Sequence, residues 1–162
     1  MAHVSSPAAQ TAIRVRPYMP DDAAFVLQLA PRLLVGIPPW RDPERWLATA
    51  HDWLTGSIAR FGKETMIFIA EDSQGTRLGA AAVSHHQHFT GEQQAYIGEL
   101  AVSEVAEGHG AGQALVEACA GWAREQGYRF LALETGIANT RARGFYAHLG
   151  FLEEDIRLVK PL

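Results

Sequence analysis

Three glycines in alternate positions, Gly108, Gly110 and Gly112, form the stretch of the chain with the clearest potential for chemistry. A loop built from glycine can bend tightly and bring its backbone N–H groups close to a ligand. The segment that follows carries Leu115 and Trp122 at helical spacing and predicts an amphipathic helix. The first turn of a helix has unpaired N–H groups at the positive end of its dipole. The stretch therefore predicts a binding site for phosphate groups.

Two widespread phosphate-binding motifs do not match this glycine run. The dinucleotide-binding fingerprint requires a third glycine where the chain has Gln113. The nucleotide-binding P-loop requires a lysine and a serine or threonine, and this pair does not follow Gly112. The glycines by themselves therefore leave two interpretations open, a ligand site and a structural turn.

The hydrophobic pattern predicts an α/β fold that places the glycine run between a strand and a helix. We expect a single domain over residues 11–162, with a mixed central sheet of about six or seven strands flanked by about four helices. The predicted strands are 13–15, 66–70 and 78–89 as a hairpin, 95–102, 128–133, and at least one within 151–162. Four helices are predicted, and they begin near Asp21, near Asp42, after the glycines and at Arg141. Pro31 is expected to end or kink the first of them.

A second segment runs from Asn139 to Phe151 and reads Asn-Thr-Arg-Ala-Arg-Gly-Phe-Tyr-Ala-His-Leu-Gly-Phe. Asn139, Ala142 and Tyr146 share one face if a helix begins near Asn139. A glycine-loop helix, then a strand, then an Asn-x-x-Ala-x-x-x-Tyr helix ending in Leu-Gly-Phe resembles the GNAT superfamily of acyl-coenzyme A N-acyltransferases. The similarity in element order covers residues 66–158.

The resemblance implies an N-acetyltransferase that brings acetyl-CoA and a primary amine together in a ternary complex. An alkylammonium has no lone pair, so a base must remove its proton before it attacks the thioester, and an acid should protonate the departing thiolate. Tyr146 matches the family's acid, because a phenol with a pKa of about 10 keeps its proton at neutral pH. The alternative for Tyr146 is a core aromatic residue. Backbone N–H groups around Leu100 to Val102 would polarise the thioester carbonyl.

Glu99 is the candidate base, directly or through a water, because it lies near the end of the strand that lines the pantetheine arm in family members. Uninterrupted alternation would group Glu99 with Ile97 and Ala101 and place Tyr96 on the opposite face of the sheet. Glu99 could therefore be a salt-bridged or solvated residue instead of a base. Glu134, on the neighbouring predicted strand, is the competing carboxylate.

The family's pyrophosphate motif, Gln/Arg-x-x-Gly-x-Gly/Ala, falls on residues 107–112, with Glu107 where Gln or Arg is usual. A carboxylate there would repel a diphosphate unless it turned to solvent, although a protonated His109 would partly offset its charge. His109 could also be an ordinary exposed loop residue. Arg141 and Arg143 could reach the ribose phosphate of the cofactor or form a solvated helix face. The predicted acetyl-CoA-binding residues are Leu100, Ala101, Val102, Gly108, His109, Gly110, Ala111, Gly112, Gln113, Asn139 and Arg141.

Other notable side chains point to structure more than to chemistry. His85, His86 and His88 are close in sequence, but alternation leaves only His86 and His88 on one face, without a nearby acidic or cysteine partner, so we predict no metal site. Trp46 and Trp53 lie seven residues apart and predict the packed face of a helix.

Composition limits the partners and the compartment. The chain has 18 acidic and 14 basic residues, which argues against non-specific binding to nucleic acid or anionic membranes and favours a cationic acceptor. Cys119 falls on the apolar stripe of its helix and predicts a buried core residue in a reducing compartment. Residues 1–10 lack the features of a signal peptide, and no apolar run reaches transmembrane length. We therefore expect a disordered N-terminal tail in a cytoplasmic protein.

The acceptor and the assembly state are only broadly defined by the sequence. A small-molecule amine and a protein amine both fit the composition. Two-fold association into a homodimer is expected from the size and apolar content of the chain, although no stretch of the sequence specifies an interface. The alternatives to an enzyme are a non-catalytic acyl-CoA-binding or sensor module and a structural domain in which the glycines form only a turn.

Overall fold

Five strands form one mixed sheet in the computed structural model, which describes residues 12–162. The strands are β1 (Arg14–Pro17), β2 (Thr65–Glu71), β3 (Arg77–Gln87), β4 (Gln93–Val102) and β5 (Leu131–Leu133). The helices are α1 (Ala23–Gln28), α2 (Pro43–Arg60), α3 (Ala111–Glu125) and α4 (Thr140–His148). Strands β1 to β4 are antiparallel neighbours in chain order, and β5 pairs parallel to β4. The predicted tail of residues 1–10 lies outside the described residues.

The α/β class is as predicted, but the described residues contain five strands instead of six or seven. Residues 151–162 contain no strand, and all but the first of them are exposed, so no apolar face fixes a strand register there. Helix α1 ends at Gln28, and the chain continues as a 3-10 helix over Ala30–Leu34. Pro31 lies in this 3-10 segment, where its missing N–H does not interrupt an α-helical hydrogen bond.

The sheet separates two hydrophobic cores. Alternate residues of β3 project to opposite faces, so Ala80 and Ala82 pack toward α1 and α2 while Ala81 and Val83 pack toward α3. Cys119 of α3 is completely buried in the second core, as predicted. Burial raises the pKa of its thiol to about 12, which keeps it protonated and makes it a poor nucleophile.

Helix α2 covers the first core and begins at a well-defined cap. Asp42 accepts hydrogen bonds from the backbone N–H groups of Glu44 and Arg45 at 2.9 and 3.3 Å, and Pro43 occupies the first helical position. The buried stripe of α2 consists of Ala50, Leu54 and Ser57. Trp53 lies beside this stripe and is 45% exposed, so the prediction that it belongs to the helix core is wrong.

A search of residues 12–162 found no helix with the length and hydrophobicity that a membrane span requires.

A buried ionic network holds β1, β2 and β3 to the segment before α1. Arg16 donates to both carboxylate oxygens of Asp22, at 2.7 and 3.0 Å, and Arg77 donates to Oδ1 at 2.6 Å. The N–H of Met19 donates to Oδ2 at 2.8 Å, and Glu71 accepts from Arg16 Nε at 2.8 Å. The hydrogen bonds from Arg16 outweigh the burial of Asp22 and hold the pKa of its carboxyl far below its usual range.

Candidate functional site

Strand β4 contains an irregularity that decides which side chains share a face. The register between β3 and β4 pairs Ala82 with Glu99 and Val83 with Ile97. Gly98 is therefore an extra residue, and one extra residue reverses the alternation of the strand. Ile97 packs with Leu100 on the α3 side, whereas Tyr96 shares a face with Glu99. The prediction of uninterrupted alternation, with Tyr96 and Glu99 on opposite faces, is wrong for this reason.

Strands β4 and β5 diverge beyond the bulge. Their pairing consists of Ala95 with Leu131, Tyr96 with Ala132 and Ile97 with Leu133. β4 continues to Val102 with β3 on one side and no paired strand on the other. The edge of β4 around Leu100, Ala101 and Val102 is therefore open to a ligand lying between the two strands, although the carbonyl of Val102 already accepts a hydrogen bond from Arg32 at 3.1 Å.

Glu99 is buried on the face of β4 that packs under α2. The residue is 8% exposed, and Ser57 Oγ donates to its Oε2 at 3.0 Å. Burial raises the pKa of Glu99 to about 7, while the Ser57 hydrogen bond and the charge of Arg60 oppose the increase. A small cavity beside it has room for about one water molecule. Glu99 can therefore gain and lose a proton near neutral pH, and it is not solvated.

Tyr96 and Glu134 extend the polar surface beside Glu99. Burial, together with the charges of Glu134 and Glu99, raises the pKa of Tyr96 to about 12, against the opposing charge of Arg157. The Tyr96 ring stacks on His86 with centroids 4.9 Å apart. A phenol ring with two carboxylates in electrostatic range is suited to a cationic group.

The glycine loop leads directly into α3. Gly108 and Gly110 have φ angles of 76° and 91°, and Gly110 is the N-cap of α3. Such angles require glycine for an unstrained loop. The N–H groups of residues 108–113 make no hydrogen bond of good geometry to an acceptor among residues 12–162. Exposed, unpaired amides at the positive end of a helix fit the diphosphate of coenzyme A.

Gly112 allows α4 to approach this turn. A β-carbon on Gly112 would lie 3.3 Å from Cζ of Phe145 in α4, which is closer than most van der Waals contacts. Ala111 is buried under the turn, whereas His109 is exposed. Gln113 points along α3 and donates to Glu117 at 2.9 Å. The predicted loop residues therefore lie together, although the side chain of Gln113 is already engaged.

Asn139 links the start of α4 to the segment that follows the 3-10 helix Ala30–Leu34. Its Oδ1 accepts from the N–H of Ala142 at 3.1 Å and caps α4, and its Nδ2 donates to the carbonyl of Val35 at 3.1 Å. Both polar groups of the Asn139 side chain are thus used within the protein. Its predicted contact with acetyl-CoA stays a prediction.

The two arginines of α4 have different partners. Arg141 donates to Glu107 at 2.5 Å, beside the glycine loop. Arg143 donates to Glu153 at 2.8 and 2.5 Å, which directs it toward the chain after α4. Arg32 also donates to Glu107, a contact that the sequence did not reveal because 75 residues separate the two. Ser57 was likewise missed, since a serine in a helix gives no signal of a carboxylate partner.

Tyr146 belongs to an aromatic group at the end of α4. Its ring centroid lies 5.1 Å from that of Phe145 and 5.5 Å from that of Phe151, both in edge-on geometry. Burial raises the pKa of Tyr146 to about 12, with a smaller contribution from Cys119. The phenol therefore keeps its proton at neutral pH, as an acid must before it reacts.

The three neighbouring histidines have separate partners. His85 contacts the hydroxyl of Tyr128, His86 stacks on Tyr96, and His88 Nδ1 lies 2.7 Å from the hydroxyl of Thr90. Within the described part of the chain, no three His, Cys, Asp or Glu side chains are grouped so that they could hold a metal ion.

Comparisons with known proteins agree with this architecture. The family model described as "Acetyltransferase (GNAT) family" matches residues 26–151. An aminoglycoside N(6')-acetyltransferase type 1 from Stenotrophomonas maltophilia is 31% identical over 149 residues, which cover 90% of this chain and 89% of that protein.

Two solved structures show the same fold. One is a GCN5-related N-acetyltransferase from Ralstonia eutropha JMP134, with a TM-score of 0.68, 22% identity, and coverage of 93% of this chain and 99% of that one. The other is the aminoglycoside N-acetyltransferase AAC(6')-Iy in complex with CoA, with a TM-score of 0.67, 20% identity, and coverage of 98% and 99%. The family match agrees with the diverging strands β4 and β5 and with the glycine loop before α3. The chain belongs to the acetyltransferase (GNAT) family of N-acetyltransferases, which use acetyl-CoA as the acyl donor.

Proposed function

We propose that the protein transfers the acetyl group of acetyl-CoA to a primary amine of a small polycationic molecule of the aminoglycoside class, by direct attack in a ternary complex. The observation that carries the proposal is the buried carboxylate of Glu99, with a pKa of about 7, beside Tyr96 and Glu134 where β4 and β5 diverge. The 31% identity to an aminoglycoside N(6')-acetyltransferase supports this acceptor class.

In this proposal, the glycine loop and the free edge of β4 hold the donor. The unpaired N–H groups of residues 108–113 bind the diphosphate, helped by Arg141, and the backbone of residues 100–102 lies along the acyl arm. Acetyl-CoA supplies the acetyl carbonyl and the thiolate leaving group. The backbone N–H groups on the free edge of β4 polarise that carbonyl.

Two side chains move the protons. Glu99 accepts a proton from the ammonium group of the acceptor, directly or through a water, and so frees the nitrogen lone pair for attack. Tyr146 donates its phenolic proton to the departing sulfur. Their pKa values, about 7 and about 12, suit a base and an acid that act at neutral pH.

The acceptor class is tested with purified protein, acetyl-CoA and pairs of aminoglycosides that differ only in a 6'-amino or a 6'-hydroxyl group, while free thiol is measured. Thiol release with the amino member and none with the hydroxyl member is the expected result. Spermidine and an amino acid amide serve as comparison amines. Release with the comparison amines alone would contradict the aminoglycoside class, and release with no amine would contradict catalysis by this chain.

We also propose that residues 11–162 act as one catalytic domain in the cytoplasm and that two copies associate. Apolar side chains at Leu152, Ile156 and Leu158 are exposed along the segment after α4, which supports association. Sedimentation of the purified protein tests the proposal. A monomer at all concentrations would contradict association.

A further inference from the structure

The carboxylate of Glu107 lies between two arginines that come from distant parts of the chain. Arg32, in the 3-10 helix after α1, donates to Oε1 through Nη2, and Arg141, in α4, donates to Oε2 through Nη1 at 2.5 Å. Arg32 also donates through Nε to the carbonyl of Val102 at 3.1 Å, where β4 ends. The carboxylate therefore does not turn to solvent, and both of its oxygens have a cationic partner.

The two arginines differ in their freedom to leave this carboxylate. The Arg32 side chain is 26% exposed and is held by a second hydrogen bond to the end of β4. The Arg141 side chain is 70% exposed, and its ion-pair partner is Glu107. Exposed ion pairs are weak, so Arg141 can exchange one anion for another at little cost.

The position of Glu107 makes this exchange relevant to the cofactor. Glu107 directly precedes residues 108–113, whose N–H groups have no acceptor among the described residues. A guanidinium group binds a carboxylate and a phosphate through the same fork of N–H donors. A diphosphate at these amides would compete with Glu107 for Arg141. Arg32 would still neutralise Glu107 after Arg141 has moved.

We propose that Glu107 is an internal counter-ion that holds Arg141 in the free protein and yields it to the diphosphate of acetyl-CoA. The inference rests on the proposed diphosphate site at residues 108–113. Glu107 is a positioning residue in this scheme, because it acts through Arg141. It makes cofactor binding weaker and cofactor release easier than a neutral side chain at this position would.

The test measures the affinity of Glu107→Gln for coenzyme A by calorimetry at low and high salt. Glutamine keeps the size and hydrogen-bonding capacity of the side chain but removes the competing charge. We expect binding about twofold to fivefold tighter than in the wild type at low salt, and a smaller gain at high salt where charges are screened. Glu104→Gln is the matched control, because it removes an exposed carboxylate three residues away that forms no ion pair within residues 12–162.

A second variant shows whether Glu107 acts through Arg141. Arg141→Gln should weaken coenzyme A binding, and the gain from Glu107→Gln should disappear in the double variant. An unchanged or weaker affinity of Glu107→Gln, or an equal gain in the Arg141→Gln background, would overturn the inference. Failure of the wild type to bind coenzyme A would instead overturn the proposed diphosphate site. Thermal unfolding of each free variant establishes that it is folded.

Discussion

At the scale of single residues, Glu99 shows how burial and hydrogen bonding act in opposite directions on one carboxyl group. Burial favours the protonated form, and the hydrogen bond from Ser57 Oγ favours the charged form. Burial is the larger effect, so the pKa rises from 4.5 to about 7. A carboxylate with this pKa is a stronger base than an exposed glutamate, and a substantial fraction of it is deprotonated at neutral pH.

Glu99→Gln removes this titrating group while keeping its shape. We expect kcat/KM to fall about 10²- to 10⁴-fold. In the wild type, kcat/KM should rise with pH and follow an apparent pKa near 7, and this rise should be lost in the variant. Rates measured from pH 5.5 to 9 check the prediction. Glu134→Gln is the matched control, and loss of the pH dependence in that variant instead would make Glu134 the base.

The same substitution has a predictable effect on stability. The folded protein binds the Glu99 proton more tightly than the unfolded chain, so the free energy of unfolding of the wild type decreases between pH 4.5 and about 7. Glutamine does not titrate. The free energy of unfolding of Glu99→Gln, measured relative to that of the wild type, should therefore increase across this range. The increase should reach roughly 3 kcal/mol above pH 7. Urea unfolding at pH 5 and pH 8 measures the difference, and an equal difference at both pH values would refute a raised pKa.

Tyr146→Phe removes the phenolic proton and retains the ring that packs on Phe145 and Phe151. We expect kcat to fall about 10²-fold with little change in KM, because the proton is transferred only during the reaction. Steady-state kinetics measure both constants. Tyr128→Phe is the control, since the Tyr128 hydroxyl contacts His85 on the α3 side of the sheet. Equal kcat values for Tyr146→Phe and the wild type would remove Tyr146 from the chemistry.

At the scale of the elements, the bulge in β4 and the turn before α3 shape the site. The bulge at Gly98 brings Tyr96 onto the face of Glu99, and the end of β5 at Leu133 leaves the edge of β4 free. The left-handed turn at Gly110 starts α3 with its N–H groups unpaired. Backbone geometry thus supplies much of the donor site, and side chains supply the proton-transfer groups.

Gly110→Ala should distort this turn, because a β-carbon at a φ of 91° costs about 1–3 kcal/mol. We expect the affinity for coenzyme A to fall about tenfold and the melting temperature to fall. Gly121→Ala is a matched control in the same helix. Gly121 has open space around its added β-carbon, so alanine there should raise stability by roughly 0.5–1 kcal/mol and leave binding unchanged. Calorimetry and thermal unfolding of both variants test the prediction, and unaltered binding by Gly110→Ala would contradict it.

At the scale of the whole molecule, the buried network around Asp22 fixes the layers on which the site depends. Asp22→Asn leaves Arg16 and Arg77 without their shared carboxylate, so we expect a loss of about 3–5 kcal/mol at pH 7 in urea unfolding. Because the pKa of Asp22 is lowered in the folded state, its contribution is present above pH 3.8 and declines below it. The difference in the free energy of unfolding between Asp22→Asn and the wild type should therefore become smaller as the pH falls below 3.8.

The neighbouring Asp21 provides the control for this prediction. It is exposed and carries the same charge, so Asp21→Asn should change stability by less than about 0.5 kcal/mol. Similar losses in the two variants would show that net charge, and not the buried network, determines the effect.

Local patterns in the sequence were sufficient for most of the fold. Alternating and continuous apolar runs identified β2, β3 and β4, and helical spacing identified α2, α3 and α4. The glycine run was placed at the start of α3, because glycine spacing and the amphipathic segment after it are adjacent in the chain. These features depend on interactions between near neighbours, which a sequence displays directly.

Only the tertiary structure decided how those parts meet. The bulge at Gly98 depends on pairing with β3, and it reversed the predicted face of Tyr96. The contacts of Glu99 with Ser57 and of Glu107 with Arg32 join residues 42 and 75 positions apart. Burial and pairing of charges arise when distant segments pack together, so the sequence by itself determined the candidate residues and their elements, and the packed chain alone determined their proton affinities and their partners.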